Sequence, residues 1–178
     1  MALSLENLTE PRLNGAGNHL VKSLAKKYDI FLLSYPGHPL ASSSRLRSLE
    51  CTEIGFVPIV KSRGLGVGMY YVINTLPLSA ALRKFFDSMD IDVVIHANII
   101  PSYIALRIAR RMRIPAIYDY QDHFPESAAA YYKNDLVKGL VYATTLGIVK
   151  RNLLMSTHVV TVSYTLREII AAIAGDYR

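Results

Sequence analysis

The chain has 178 residues, which is enough for one domain with a single hydrophobic core but short for two. Apolar residues make up 51% of the sequence and charged residues 19%, a balance that excludes an intrinsically disordered chain. The formal net charge of +6 fits phosphate-bearing ligands or an anionic membrane surface. Because no dense basic tract is present, we do not expect nucleic acid as a partner.

The sequence also indicates a compartment. Cys51 is the only cysteine, so an internal disulfide is excluded and a reducing compartment is favoured. The N-terminus lacks the pattern of a secretory signal, and no apolar run is long enough to span a membrane. We therefore expect a cytoplasmic protein, with peripheral attachment to the inner face of the membrane as a weaker expectation. The expectation of membrane attachment rests on the net charge and on the arginines of Arg107–Arg113. These arginines are better explained as the solvated face of a helix.

Short apolar runs alternate with longer helical segments along the whole chain. The predicted strands are Met1–Leu5, Asp29–Ser34, one within Glu53–Val60, Asp92–His96, one centred on Ala116–Tyr118, and Val159–Val162. The predicted helices are Gly15–Lys27, Leu65–Met89 with a kink or split at Pro77, Pro101–Met112, a helical stretch through about Leu154, and Tyr164–Ala174 capped by Ser163. Continuous apolar strands of this kind are typical of buried parallel sheets. The pattern predicts one α/β domain over residues 1–178: a doubly wound, mostly parallel sheet of about six to seven strands with helices on both faces.

The first candidate site is a glycine-rich loop at the start of the first predicted helix. It contains Gly15, Ala16, Gly17 and Asn18, and a helix start offers free N–H groups to a phosphate. A dinucleotide fingerprint would need a third glycine where Leu20 stands, so an NAD site is disfavoured. A flexible loop that joins an ordinary helix start is the alternative.

The second candidate follows the fourth predicted strand, where His96 and Asn98 stand close together. Such side chains can hydrogen-bond sugar hydroxyls or hold a phosphate at the carboxyl edge of a parallel sheet. Taken alone, a histidine satisfied by neighbouring protein groups is the simpler explanation of His96.

The third and richest candidate is Asp119–Glu126, directly after the fifth predicted strand. It carries acids, a histidine and an amide within a short stretch, and these groups are costly to bury without a purpose. Asp122 beside His123 is suited to act as a base or to orient a substrate hydroxyl. Glu126 is equally well explained as an acid in the first turn of a helix. No second histidine stands at ligand spacing, so a metal site is not expected.

Paired tyrosines form a last feature, at Tyr70–Tyr71 and at Tyr131–Tyr132. Rings with a polar tip suit sugar stacking or a lipid interface. An ordinary half-buried surface accounts for them equally well and is the default.

Four segments together resemble the glycosyltransferase family 4 enzymes, which are retaining transferases built from two facing Rossmann-like domains, the GT-B architecture. The segments are Asn14–Ala25, Asp92–Asn98, Ile114–Ser127 and His158–Leu166. Ile114–Ser127 is the most specific, because it is similar to the family's strand followed by His/Arg-Asp and an aromatic-Pro-Glu. The resemblance is to the N-terminal domain and covers essentially the whole chain. Gln121 departs from the pattern, since the family most often has histidine or arginine there.

The resemblance implies a division of labour between two domains. The N-terminal domain, this chain, holds a glycan or lipid-linked acceptor, and a C-terminal domain expected outside this chain holds the nucleotide sugar. The implied site residues are Asp122 and His123 as catalytic groups, His96, Asn98, Gln121 and Glu126 as acceptor-binding groups, and Gly15, Ala16, Gly17 and Asn18 near the donor diphosphate or an acceptor phosphate. No metal and no other cofactor is expected. The isolated domain is expected to be inactive.

Two other classes of function stay open at this stage. A non-hydrolysing sugar-nucleotide epimerase uses the same two-domain architecture. The other is a stand-alone α/β binding module that catalyses no reaction, which would require the fold but no catalytic residues.

Overall fold

A computed structural model describes residues 2–4, 23–33, 52–54, 59, 72–96 and 99–175 of the chain. Its centre is a parallel sheet whose six strands are β1 (Ala2–Ser4), β2 (Ile30–Leu33), β3 (Thr52–Ile54), β4 (Val93–His96), β5 (Ala116–Tyr120) and β6 (His158–Thr161). The strand order is β3-β2-β1-β4-β5-β6, so the chain winds outward from β1 in one direction and then in the other. The predicted doubly wound parallel sheet is confirmed.

The described helices alternate with the later strands. They are α1 (Thr75–Ser88), α2 (Ile99–Met112), α3 (Phe124–Ala130), α4 (Asp135–Met155) and α5 (Tyr164–Ala174). Residues 23–25 are also helical, and the rest of the predicted helix Gly15–Lys27 lies largely outside the described residues. As expected, α5 begins after Ser163, whose hydroxyl accepts the Leu166 N–H at 3.2 Å.

Two apolar clusters hold these helices against the sheet. The first joins Leu82 and Phe86 of α1 and Leu106 of α2 to Val94 and Ala116 of the sheet. The second consists of Tyr118, Tyr120, Val149, Leu153 and Ile170, from β5, α4 and α5. Because Ala116, Tyr118 and Tyr120 alternate along β5, they share one face of the sheet. The packing helices α1, α2, α4 and α5 therefore cover that face together.

The predicted split of the helix at Pro77 falls slightly earlier in the chain. A helical turn at residues 72–73 ends at Asn74, and α1 begins at Thr75. Pro77 thus lies in the first turn of α1, where a missing N–H breaks no helical hydrogen bond. The Asn74 side chain is buried and accepts the backbone N–H of Ile59 at 2.7 Å, which ties the residue before α1 to a distant part of the chain.

The helical stretch through about Leu154 is in fact two helices. Residues 131–134 form a turn between α3 and α4, which is a correction to the predicted continuous segment. The physical cause of the turn is Asn134, whose side-chain oxygen accepts the N–H groups of Leu136 at 3.0 Å and Val137 at 3.2 Å. This cap satisfies free donors at a new helix start and lets α4 fold back against α3. In the described ranges, no helix combines the length and the apolarity needed to cross a bilayer.

The packing of α1 predicts a large effect of a cavity at Leu82. Leu82→Ala is expected to lower the free energy of unfolding by about 2–5 kcal/mol, because the side chain is completely enclosed. Urea unfolding followed by circular dichroism measures this loss. The matched control is Leu76→Ala on the same helix, where the side chain is 77% exposed and a change below about 0.5 kcal/mol is expected. Equal losses in both variants would contradict the described packing.

Candidate functional site

The candidate site lies at the carboxyl edge of the sheet, where β4 and β5 end. Parallel sheets of this kind bind ligands beyond these strand ends, at the point where the strand order reverses. His96 is the last residue of β4 and pairs with Tyr118, and Tyr120 is the last residue of β5 and pairs with Thr161. The predicted loop residues Gly15, Ala16, Gly17 and Asn18, as well as Asn98, lie outside the described residues.

His96 is enclosed in the protein interior. Its Nε2 lies 3.0 Å from the Ser156 hydroxyl oxygen, and that hydroxyl donates its own proton to the Asn152 carbonyl at 2.7 Å. Because the serine proton is used in this way, the ring nitrogen must be the donor, which places the imidazole proton on Nε2. The ring stacks on Tyr118, with centroids 4.3 Å apart and an interplanar angle of 18°.

The environment keeps this histidine neutral. Burial lowers the pKa of His96 to about 3, because the charged form would lose its hydration. Burial likewise raises the pKa of Tyr118 well above its ordinary value. The simpler explanation of His96, a histidine satisfied by neighbouring protein groups, is met at Nε2 by Ser156. It is not met at Nδ1, which is buried without a hydrogen-bond partner. Contact between His96 and an acceptor stays a prediction, and it requires the ring to become exposed.

The predicted residues after β5 lie in a more open environment. His123 is half-buried just before α3, and its Nδ1 is 2.7 Å from the Tyr120 hydroxyl. The Tyr142 ring of α4 meets the His123 ring edge-on, with centroids 6.3 Å apart. His123 is therefore held between a tyrosine of the sheet and a tyrosine of a helix, which restricts its orientation.

Tyr120 supplies a stable partner for this histidine. Burial, followed by the negative charge of Asp122, raises the pKa of Tyr120 to about 12, so the phenol stays protonated at neutral pH. A protonated phenol can donate to Nδ1, and the imidazole proton then sits on Nε2. In this tautomer Nε2 is a hydrogen-bond donor, suited to a sugar hydroxyl or a phosphate oxygen.

The remaining predicted residues are exposed and polar. The Gln121 side-chain amide donates to the Asp119 carboxylate at 2.7 Å, which ties the loop after β5 to the second-last residue of the strand. After burial, the negative charges of Asp122 and Glu126 contribute to the raised pKa of Tyr120. Glu126 lies in the first turn of α3, and its backbone N–H donates to the His123 carbonyl at 3.2 Å.

A groove of about 480 Å³ opens beside this cluster, between α3 and α4. It is lined by Glu126, Ala129, Ala130, Asp135, Lys138, Gly139 and Tyr142. Most of the lining surface is apolar, with carboxylate, ammonium and phenol groups at a few positions, as is usual for small-molecule sites. Of the predicted acceptor-binding residues that the structure describes, Glu126 is the one that lines this groove.

The sequence did not identify three residues that contribute to the candidate site: Tyr120, Tyr142 and Lys138. Tyr120 lies within the candidate stretch Asp119–Glu126 but was given no role there, although it continues the alternation of Ala116 and Tyr118. Tyr142 and Lys138 were missed because the turn before α4 was not recognised. The signal that could have found it is Asn134, a favourable N-cap before Asp135.

Within the described ranges, no three histidine, cysteine, aspartate or glutamate side chains are grouped as metal ligands. That the site works without a metal or another cofactor stays a prediction.

Comparison with known proteins finds a family model and several solved structures that match the chain. A family model described as Glycosyltransferase Family 4 matches residues 16–176. Among solved structures, the chain is similar to one described as the crystal structure of a ugt transferase from Siraitia grosvenorii in complex with UDP, with a TM-score of 0.52 and 8% identity. The similarity covers 97% of this chain and 46% of that one, so the chain spans about half the length of its structural neighbour. At this identity the likeness shows the fold alone. No curated protein sequence matches the chain.

The buried His96 predicts a pH dependence of stability. Its pKa is about 3 in the folded chain and about 6.5 in the unfolded chain, so the unfolded chain binds more protons between these values. The contribution of His96 to the free energy of unfolding is therefore present above pH 6.5 and falls as the pH falls, by about 2 kcal/mol at pH 5.

Urea unfolding of the native chain and of His96→Gln at pH 7 and pH 5 measures this contribution. The native chain is expected to lose about 2 kcal/mol more than the variant over this interval. His158→Gln, at the exposed histidine of β6, is the control for removing a histidine from the sheet. Identical pH dependence of the native chain and His96→Gln would contradict the enclosed, neutral state of the ring.

Proposed function

The chain belongs to Glycosyltransferase Family 4, and we propose that it is the acceptor-side half of an enzyme that transfers a sugar from a nucleotide diphosphate sugar to an acceptor hydroxyl. The observation that carries this proposal is the group of polar side chains after β5, which lies beside a groove at the carboxyl edge of the sheet. The structural neighbour supports the donor class, because it was solved with UDP.

In the proposed reaction, the bond between the anomeric carbon and the diphosphate oxygen breaks, and the diphosphate leaves with the electron pair. The acceptor oxygen forms the new bond to that carbon and gives up its proton. The product is expected to retain the anomeric configuration, as the family resemblance implies. The chain's own residues contribute by binding the acceptor, orienting its hydroxyl and receiving or relaying its proton.

Asp122 is the residue we assign to the reacting hydroxyl. Its exposed carboxylate follows the end of β5 directly and can accept the hydrogen bond of that hydroxyl. His123, held by Tyr120 at 2.7 Å, presents a second polar group in a restricted orientation. Gln121 and Glu126 are proposed to bind the other hydroxyls of the acceptor.

The donor is proposed to bind mainly to a second domain that faces this edge. The loop of Gly15, Ala16, Gly17 and Asn18 would then approach the donor diphosphate or an acceptor phosphate through its backbone N–H groups. Because the donor site is divided in this way, the 178 residues alone are proposed to lack transfer activity.

Substitution of Asp122 tests its assigned role. In the polypeptide that contains both halves of the site, Asp122→Asn is expected to lower the rate of sugar transfer about a hundredfold or more, because the amide cannot take a proton. Acceptor-dependent release of the nucleotide diphosphate, together with mass spectrometry of the glycosylated product, measures this rate.

The matched control for Asp122 is Asp87→Asn, at an exposed carboxylate of α1 far along the chain from the site, and it is expected to keep full activity. Unchanged transfer by Asp122→Asn would remove Asp122 from the mechanism. Conversion of the nucleotide sugar to its epimer without any acceptor would instead support the epimerase alternative and contradict sugar transfer.

The division of the donor site predicts weak binding by the chain alone. Calorimetric titration with UDP is expected to give no saturation below about 1 mM, because half of the contacts are missing. Micromolar binding of UDP to these 178 residues would contradict the proposed division.

A further inference from the structure

Two polar atoms at the end of β4 and the start of α2 are buried without a hydrogen-bond partner among the described residues. They are Nδ1 of His96, the last residue of β4, and the hydroxyl oxygen of Ser102, the fourth residue of α2. Both side chains are completely buried. A buried polar atom without a partner costs more than a hydrogen bond gains, so both atoms call for one.

The two side chains stand at corresponding positions of β4 and α2. His96 alternates with Val94 along β4 and faces the same side of the sheet. Ser102 shares a face of α2 with Ala105 and Ala109, which pack in the same apolar cluster as Val94. The helix returns antiparallel to the strand, and one turn of helix advances about as far (~5.4 Å) as two strand residues (~6.6 Å). Ser102 therefore lies beside His96, one step closer to the carboxyl edge than the alanines beside Val94.

The tautomer of His96 selects the chemistry of the missing partner. The ring proton lies on Nε2 and is donated to Ser156, so Nδ1 carries a lone pair and can only accept. The Ser102 hydroxyl can donate or accept, and it does not bond directly to Nδ1. A single O–H group satisfies both atoms, because it donates to Nδ1 and accepts from Ser102. An oxyanion has no proton to give, and a cation is disfavoured by the burial that keeps the ring neutral.

We propose that His96 and Ser102 hold one internal water molecule between the end of β4 and the first turn of α2. Its oxygen lies about 2.7–3.0 Å from Nδ1 and from the Ser102 hydroxyl oxygen. Two polar partners are sufficient for a buried water, and such waters are part of the folded structure. A larger hydroxyl-bearing ligand does not fit the proposal, because neither side chain is accessible from the surface.

The water stabilises the inner end of the row of rings that leads to the candidate site. With hydrogen bonds at both nitrogens, rotation of the His96 ring would break both. This ring stacks on Tyr118, Tyr118 packs edge-on against Tyr120 with centroids 5.5 Å apart, and Tyr120 contacts His123. Ser102 is thus a positioning residue that acts through His96. The water site is independent of sugar transfer, so the failure of either one leaves the other standing.

Removal of the Ser102 hydroxyl distinguishes a bridged hydroxyl from an unpaired one by the sign of the effect. Ser102→Ala takes away one of the two partners of the water, and the equilibrium constant of unfolding is expected to rise about fivefold. An unpaired hydroxyl predicts a fall instead, because alanine removes its desolvation cost. Urea unfolding followed by circular dichroism measures the change. The matched control is Ser127→Ala, at the exposed fourth residue of α3, where a change below about twofold is expected.

Nuclear magnetic resonance detects the water and its effect on the ring. The native chain is expected to show a protonated Nε2, a hydrogen-bonded Nδ1, and a nuclear Overhauser effect between a long-lived water and the His96 ring protons. In Ser102→Ala, the Nδ1 resonance is expected to move toward that of a nitrogen without a hydrogen bond. A packing role of Ser102 alone would leave this resonance in place. His158, exposed in β6, is the internal reference and is expected to keep its resonances.

Four results would overturn the proposal. The first is a lower equilibrium constant of unfolding in Ser102→Ala, and the second is a ring proton on Nδ1. The third is a crystal structure in which the Ser102 hydroxyl bonds Nδ1 directly, with no oxygen between them. The fourth is an acceptor hydroxyl bonded to Nδ1 in place of the water, which would assign the pair to acceptor binding.

Discussion

The pairing of β5 between β4 and β6 is the constraint on which the candidate site depends. Side chains alternate along a strand, so this pairing sends Tyr118 and Tyr120 toward the helices and Asp119 to the other face. A shift of the register by one residue would reverse these directions and place a carboxylate in the apolar cluster. The buried tyrosines thus define where the sheet ends and where the polar loop begins.

Along one row of aromatic side chains, the environment changes from the protein interior to the surface. His96 and Tyr118 stack in the interior, where burial keeps both of them uncharged. Tyr120 packs edge-on against Tyr118 and reaches His123 at the surface. Beyond that point the carboxylates of Asp122 and Glu126 are exposed, where they keep their hydration. The structure therefore separates a neutral support from an exposed set of groups that can exchange protons with a ligand.

The arrangement of strands followed from the sequence because each buried strand is a short apolar run between polar loops. The strand ending at His96 and the loop after Tyr120 could be placed by that pattern alone. The burial of His96 could not, because its partner Ser156 is supplied by the end of a helix distant in sequence. The turn at Asn134 was missed because apolar residues continue on both sides of it, so that periodicity gave no sign of two helices.

A crystal structure of the polypeptide that contains both proposed halves of the site, with UDP and the acceptor, tests the central claim most directly. The account predicts that the reacting hydroxyl lies within about 2.6–3.2 Å of the Asp122 carboxylate or the His123 ring, with the rest of the acceptor in the groove between α3 and α4. UDP is expected on the facing domain. An acceptor bound at the opposite edge of the sheet, near Arg107–Arg113, would contradict the account.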